Sequence, residues 1–286
     1  MKCKDFEIER INQVLFVVRQ DKGANIGVCV KDNSALLIDS GYSPRKSRAL
    51  KELVQEKLDC KIELLFNTHY HSDHTFGNQS FGCPIISSED CKEIMQRNLS
   101  THWTPEEIRK AMQEDPELKE EWEDLRVASP TRTFKEERTY DFKGIQLVFQ
   151  RLGGHTKGSS VAWFPDYKLL FSGDIVFADF YPTQLSIDPS PLELIEALRK
   201  IEKMDVERIV PGHGNICGQS TVERLIGYWS CLTSECQKLF AKGMDEKAAE
   251  KVLLDRCHLE GITFDARKHK RNVDTVLKSI RQDYGQ

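Results

Sequence analysis

The stretch Asn67-Thr68-His69-Tyr70-His71-Ser72-Asp73-His74 constrains this chain more than any other, because it sets three imidazoles and a carboxylate directly behind the apolar run Ile62, Leu64, Leu65 and Phe66. Residues 61–67 read as a short buried strand, and Gly77 with the polar residues after His74 marks the turn out of it. His69 and His71 therefore stand at a strand end. Side chains two apart on an extended backbone point the same way, and a step into a helical turn aims Asp73 and His74 at a second point nearby. One segment thus offers donors to two metal positions. Imidazole and carboxylate suit Zn, Fe, Mn, Co or Ni, and the lack of a cysteine among them sets the stretch apart from a closed, thiolate-rich structural zinc site.

A metal needs donors from elsewhere, and three further runs supply them. Residues 144–152 alternate apolar and polar side chains and lead into Gly153-Gly154-His155-Thr156. Residues 168–171 lead into Ser172-Gly173-Asp174, and residues 208–210 into Pro211-Gly212-His213-Gly214. Each reads as a strand, a glycine turn and a ligand-type residue, which gathers donors at one edge of a sheet. Glycine beside each donor lets the backbone approach a crowded centre.

With HxHxDH, GGHT, SGD and PGHG in that order, the sequence resembles the metallo-β-lactamase superfamily over roughly residues 12–218. The resemblance implies an α/β (α+β) fold, the four-layer αβ/βα sandwich, with a catalytic domain over 1–218, a helical insertion at about 100–140 and a helical C-terminal extension over 219–286 packed on the same domain. It implies that His69, His71 and His155 hold one metal, that Asp73, His74 and His213 hold a second, and that Asp174 bridges them. The cofactors expected are two divalent ions, zinc first and iron or manganese as alternatives. The second-site cysteine of zinc β-lactamases is absent, and His74 stands where many of those enzymes carry arginine. That departure favours glyoxalase II-like, lactonase-like or arylsulfatase-like branches. The implied reaction is hydrolysis of an ester, thioester or lactone by a metal-bridging hydroxide, with weak β-lactam hydrolysis as a side activity. Asp73 is the expected catalytic residue, orienting the nucleophile and passing a proton. Two alternatives share the motifs: a persulfide dioxygenase-like oxidoreductase with one iron on His69, His155 and Asp174, and a phosphodiesterase or nuclease.

Composition narrows these. A net charge of -4 gives no basic footprint, so nucleic acid is not an expected partner and a small-molecule substrate is. With 286 residues, 39% hydrophobic, the chain is long enough to bury about three-quarters of its unfolded surface. Nine cysteines without a CxxC pair, behind an N-terminus that is neither an export signal nor a membrane span, read as reduced thiols of a cytoplasmic protein.

Strands are expected at 14–19, 25–31, 34–39 and 83–87, and helices at 45–58, 89–99, 116–126 and 191–204, with another beginning at Thr104-Pro105. Asp39 is expected to support the metal loop rather than to coordinate. Residues 100–140 read as a lid or a solvated insertion, with Trp103 as a candidate substrate contact and His102 on the surface. The aromatic loop 175–188 reads as a pocket wall, with Phe180 and Tyr181 as further candidates. Three helices at 221–241, 245–255 and 268–281 form the tail, which completes the pocket or pairs with a second copy as a homodimer. His258 and His269 read as surface histidines.

Overall fold

The computed structural model describes residues 2–3, 6–20, 22–183 and 190–283. Two compact units emerge: Met1–Arg151 with Gly158–Tyr167, and Leu152–Lys157 with Lys168–Gln286.

In the first unit, period-two alternation of apolar residues makes a meander. Strands β1 (Lys2–Cys3), β2 (Phe6–Arg10), β3 (Leu15–Gln20), β4 (Ile26–Lys31) and β5 (Ser34–Ile38) pair antiparallel in sequence order. Asp32 and Asn33, with φ of 47° and 56°, close the tight hairpin between β4 and β5, as left-handed residues do in two-residue turns. Helix α1 (Pro44–Lys57) starts where Ser43 accepts the Lys46 N–H and proline takes the first turn. The chain then switches to parallel pairing through β6 (Lys61–Phe66), α2 (Ser72–Thr75), β7 (Ile85–Ser88), α3 (Glu89–Leu99), α4 (Pro105–Glu114), α5 (Pro116–Trp122) and β8 (Arg132–Phe134). Leu50 and Val54 of α1 join Ile26, Val28, Leu37 and Leu65 in one core over this eight-stranded sheet. A second, antiparallel layer follows, made of β9 (Glu137–Phe142), β10 (Ile145–Arg151) and β11 (Ser160–Phe164). Phe66 of β6 stacks on Phe149 of β10 at 4.2 Å, with Phe134 6.3 Å from each ring, so aromatic rings join the two layers.

In the second unit, β12 (Leu169–Phe177) and β13 (Arg208–His213) pair in parallel around α6 (Pro191–Glu202), whose Ser190 and Glu193 form a capping box. Helices α7 (Gln219–Ala241), α8 (Glu246–Leu254) and α9 (Ala266–Asp283) make the tail, and α7 packs on α6, α8 and α9. No helix among the described residues is long and apolar enough to cross a membrane.

Several sequence expectations change. The strands at 168–171 and 208–210 do not stop before their ligand-type residues, because β12 runs on through Asp174 and β13 through His213. Gly173 marks a register shift inside the pair rather than a turn, which is how glycine acts in a bulged strand. Within 100–140 the helices end at Trp122, and residues 132–134 and 137–140 belong to strands. The strands at 6–10 and 160–164 were not expected at all. Thiols are not all reduced, since Cys231 and Cys257 form a disulfide. His269 is not a surface residue: it is fully buried, and its Nδ1 lies 3.0 Å from the Tyr228 hydroxyl. The end of the aromatic loop, 184–189, lies outside the described residues.

Two outcomes follow. Phe66→Ala should cost about 3–5 kcal/mol in urea unfolding, the usual penalty for emptying a buried aromatic site. Burial holds the His269 pKa below its ordinary value, because the cation would lose its water. The unfolded chain therefore binds a proton that the folded tail refuses, and stability is full above the ordinary histidine pKa and falls as the pH drops through and below it. Thermal unfolding at pH 7.5 and 5.5 checks this, and His269→Gln should shrink the difference between the two.

Candidate metal centre

In the first unit the donors stand on the loop that leaves β6. Its anchor is Asp39, at the end of β5 with φ of 65°, a conformation that turns its carboxylate back onto the loop. Asp39 Oδ1 accepts the Thr68 N–H at 2.8 Å, and Oδ2 accepts the Thr68 hydroxyl at 2.7 Å and lies 2.7 Å from His74 Nδ1. A carboxylate only accepts, so the His74 proton sits on Nδ1 and Nε2 carries the lone pair. Thr68 Oγ1, its own proton given to Asp39, accepts from His69 Nδ1 at 3.1 Å. His69 therefore also presents Nε2 as a lone pair. Either nitrogen of a neutral ring can bind a metal, and here the contacts at Nδ1 leave Nε2 as the one on offer from both.

The loop is fastened on every side. Asn67 and Asn78 exchange amide hydrogen bonds at 3.1 and 2.9 Å. The Ser40 N–H and hydroxyl donate to the His74 carbonyl at 2.9 and 3.0 Å. A Cβ at Gly77 would overlap the Ser40 carbonyl oxygen and Ser47 Oγ, so only glycine fits there. His69 and His74 are fully buried. His69 Nε2 lies 3.0 Å from His71 Nδ1, and His74 Nε2 lies 3.7 Å from Asp73 Oδ2.

The second unit repeats the pattern with Asp174 at its centre. One carboxylate oxygen, Oδ2, faces His155 Nε2 at 3.5 Å, and the other, Oδ1, faces His213 Nε2 at 3.5 Å. Gly212 makes this possible, since a Cβ there would overlap Asp174 Oδ1. Gly154, at φ of 92°, lies so close to Ala197 and Leu194 of α6 that a side chain would not fit beside His155. Phe177 stacks on the His213 ring at 5.4 Å and fixes its plane.

These spacings suit a metal. Two ligands of a tetrahedral ion with bonds of about 2.0–2.2 Å are roughly 3.3–3.6 Å apart, longer than a good hydrogen bond. Both Asp174 contacts fall at that edge length. The donors are nitrogen and oxygen without sulfur, as zinc, iron or manganese accept. A cysteine nucleophile finds no support, because burial pushes the thiols of Cys29, Cys91 and Cys236 up to about 12 and those of Cys83 and Cys217 up to about 11.

The expected substrate contacts divide. Trp103 is half-buried, with its ring 5.2 Å from Phe76 and 6.3 Å from Tyr70, the residue between His69 and His71. Phe180 is 50% exposed under the Lys268 ammonium, 5.4 Å away. Tyr181 is corrected: at 2% exposed it is wedged against Tyr228, Phe264 and His269, and its hydroxyl accepts the Leu259 N–H at 3.1 Å. Its ring packs the tail. Sequence reasoning named Asp39 but missed Thr68, whose hydroxyl relays Asp39 to His69; the threonine inside NTHYHSDH was the available signal.

A family model described as the metallo-beta-lactamase superfamily matches residues 19–213. Acyl-coenzyme A thioesterase MBLAC2 of Bos taurus is 24% identical over 243 residues, covering 79% of this chain and 85% of that protein. Hydroxyacylglutathione hydrolase of Bartonella henselae is 23% identical, covering 68% of this chain and 63% of that enzyme. Among solved structures, a metallo-beta-lactamase from Pontibacter korlensis superposes with a TM-score of 0.65 at 20% identity, over 79% of this chain and 99% of that one. The sec-alkyl sulfatase PisA1 reaches 0.73 at 15% identity, over 98% of this chain and 50% of that one. The structural likenesses show the fold.

Asp39→Asn should keep the fold but disturb the histidine tautomers, lowering metal affinity roughly 10- to 100-fold in a chelator competition. Unchanged affinity would remove Asp39 from the supporting role.

Proposed function

This chain belongs to the metallo-beta-lactamase superfamily, and we propose that within it the protein is a binuclear metal-dependent hydrolase acting on a thioester. One observation carries the reading: Asp174 gives a separate oxygen to each of two imidazoles at the same 3.5 Å, as a carboxylate shared between two ions would. In this reading His69, His71 and His155 would hold one ion together with Asp174, and Asp73, His74 and His213 would hold the other. Bound there, two divalent ions, zinc foremost, would bring the pKa of a water toward neutrality and polarise a carbonyl.

The chain's own groups do the rest. The hydrogen bonds from His69 to Thr68 to Asp39, and from His74 to Asp39, fix the orientation of both rings and leave Nε2 of each facing away from the carboxylate. Asp73, about a quarter exposed beside His74, is the carboxylate that would take a proton from water and return it to the leaving group in this reading. Trp103, half-buried beside Tyr70, is the aromatic surface this reading offers to the acyl or carrier portion, and Phe180 is a separate candidate. Thioesters are favoured within the ester, thioester and lactone class because MBLAC2 and the hydroxyacylglutathione hydrolases are named for thioester substrates.

Metal content and thioester turnover of the full chain test this together. About two metal ions per chain are expected, with Asp174→Ala and His71→Ala each lowering kcat/KM by roughly a thousandfold, the scale of losing a charge-stabilising group. A single iron with oxygen uptake on a persulfide, or full activity in either variant, would overturn it.

A further inference from the structure

We infer that the helical tail contains a thiol-exchange site, a cavity of about 570 Å³ whose wall includes the Cys231–Cys257 disulfide. This rests on none of the chemistry proposed for the metal centre. Cys231 stands on α7 and Cys257 on the linker between α8 and α9, and both are partly exposed. Among the free cysteines described, Cys29, Cys60, Cys91 and Cys236 are buried, whereas Cys83 and Cys217 are partly exposed but carry thiols that burial pushes up to about 11.

Three features suit the cavity to a small charged thiol. Gly227 lies in the middle of α7 and lines the cavity, and no atom comes within 4 Å of a Cβ built there. Packing therefore does not demand glycine, which weakens a helix relative to alanine, and its missing side chain leaves the approach to the sulfurs open. Arg224, held by the Thr221 hydroxyl at 3.1 Å, and His258 bring nitrogen donors to the cavity, suited to a carboxylate or an arriving thiolate, while Glu223 and Glu260 suit an ammonium. Cys257 adopts φ of 55°, left-handed for a residue with a side chain, so a linker freed from the disulfide has a less restrained conformation to adopt.

The exchange balances without an added oxidant. The thiolate of the small thiol attacks one sulfur of the pair, its new S–S bond forms as Cys231–Cys257 breaks, and the released cysteine takes up the proton the thiol gave off. A second thiol then attacks the mixed disulfide, freeing the second cysteine and leaving as a small-molecule disulfide.

Glutathione is the probe. The oxidised full-length chain, incubated with it under native conditions and trapped by acid, should gain one glutathione by intact mass, mapped to the peptide of Cys231 or Cys257, and Cys231→Ser/Cys257→Ser should gain none. Gly227→Leu, which fills the cavity and favours the helix, should slow the gain at least about tenfold with an unchanged circular dichroism spectrum. Arg224→Glu should slow glutathione while leaving uncharged 2-mercaptoethanol at its original rate. Modification only after denaturation, adducts on the buried cysteines, a wild-type rate in Gly227→Leu, or a purified chain with every thiol free would each overturn the site.

Discussion

A fully buried imidazole is tolerated only if its ring protons have acceptors, and the Asp39 carboxylate provides for two of them at once. It receives His74 Nδ1 directly and His69 Nδ1 through Thr68, and it also takes the Thr68 backbone N–H. Remove that carboxylate and the Thr68 N–H, the Thr68 hydroxyl and His74 Nδ1 each lose the acceptor it gives them, at a buried position, and the Thr68 hydroxyl is no longer held toward His69. Its left-handed backbone is the cost of pointing a residue at the end of β5 back across β6. Strain kept at a place that orients ligands, rather than in the core, is a common feature of functional sites.

Asp174 solves a different problem, crowding. A residue in the interior of a strand has its neighbours' side chains on both flanks, yet this carboxylate has to reach toward two imidazoles. Gly212 on the adjoining strand removes the obstacle, and the register shift at Gly173 turns the segment so that Asp174 need not follow the regular pleat. The glycines beside the ligand-type residues thus act by two mechanisms: close approach at Gly154 and Gly212, and altered pairing at Gly173.

That distinction was only partly legible in the sequence. The seven ligand-type residues and their glycines stand out because each lies within a few residues of an apolar run, and local patterns survive in a linear string. What the glycine does was not readable, since a bulge and a turn look alike until the partner strand is known. β9, with exposed polar residues such as Glu137 and Asp141 at alternate positions, hid inside a charged region; β8 is only three residues long. His269 and the cysteine pair depend on contacts between helices separated by loops: Tyr228 lies 41 residues from His269, and Cys231 lies 26 from Cys257. No periodicity within one helix reveals such pairings. Tyr181 misled for the same reason, because an aromatic next to a ligand strand looks like a pocket wall whether it faces a substrate or Tyr228.

The leaving group links this donor set to the kind of bond it can cleave. Expelling an amine from a tetrahedral intermediate requires a proton delivered to nitrogen, whereas a thiol with a pKa near 8.5 departs as a thiolate with little help. The group proposed for proton transfer is one carboxylate, Asp73, about a quarter exposed. Such a site is well equipped to generate a nucleophile and less well equipped to rescue a poor leaving group. Thioesters and activated esters need the first of these far more than the second, which is the chemical reason the proposed function places a thioester first.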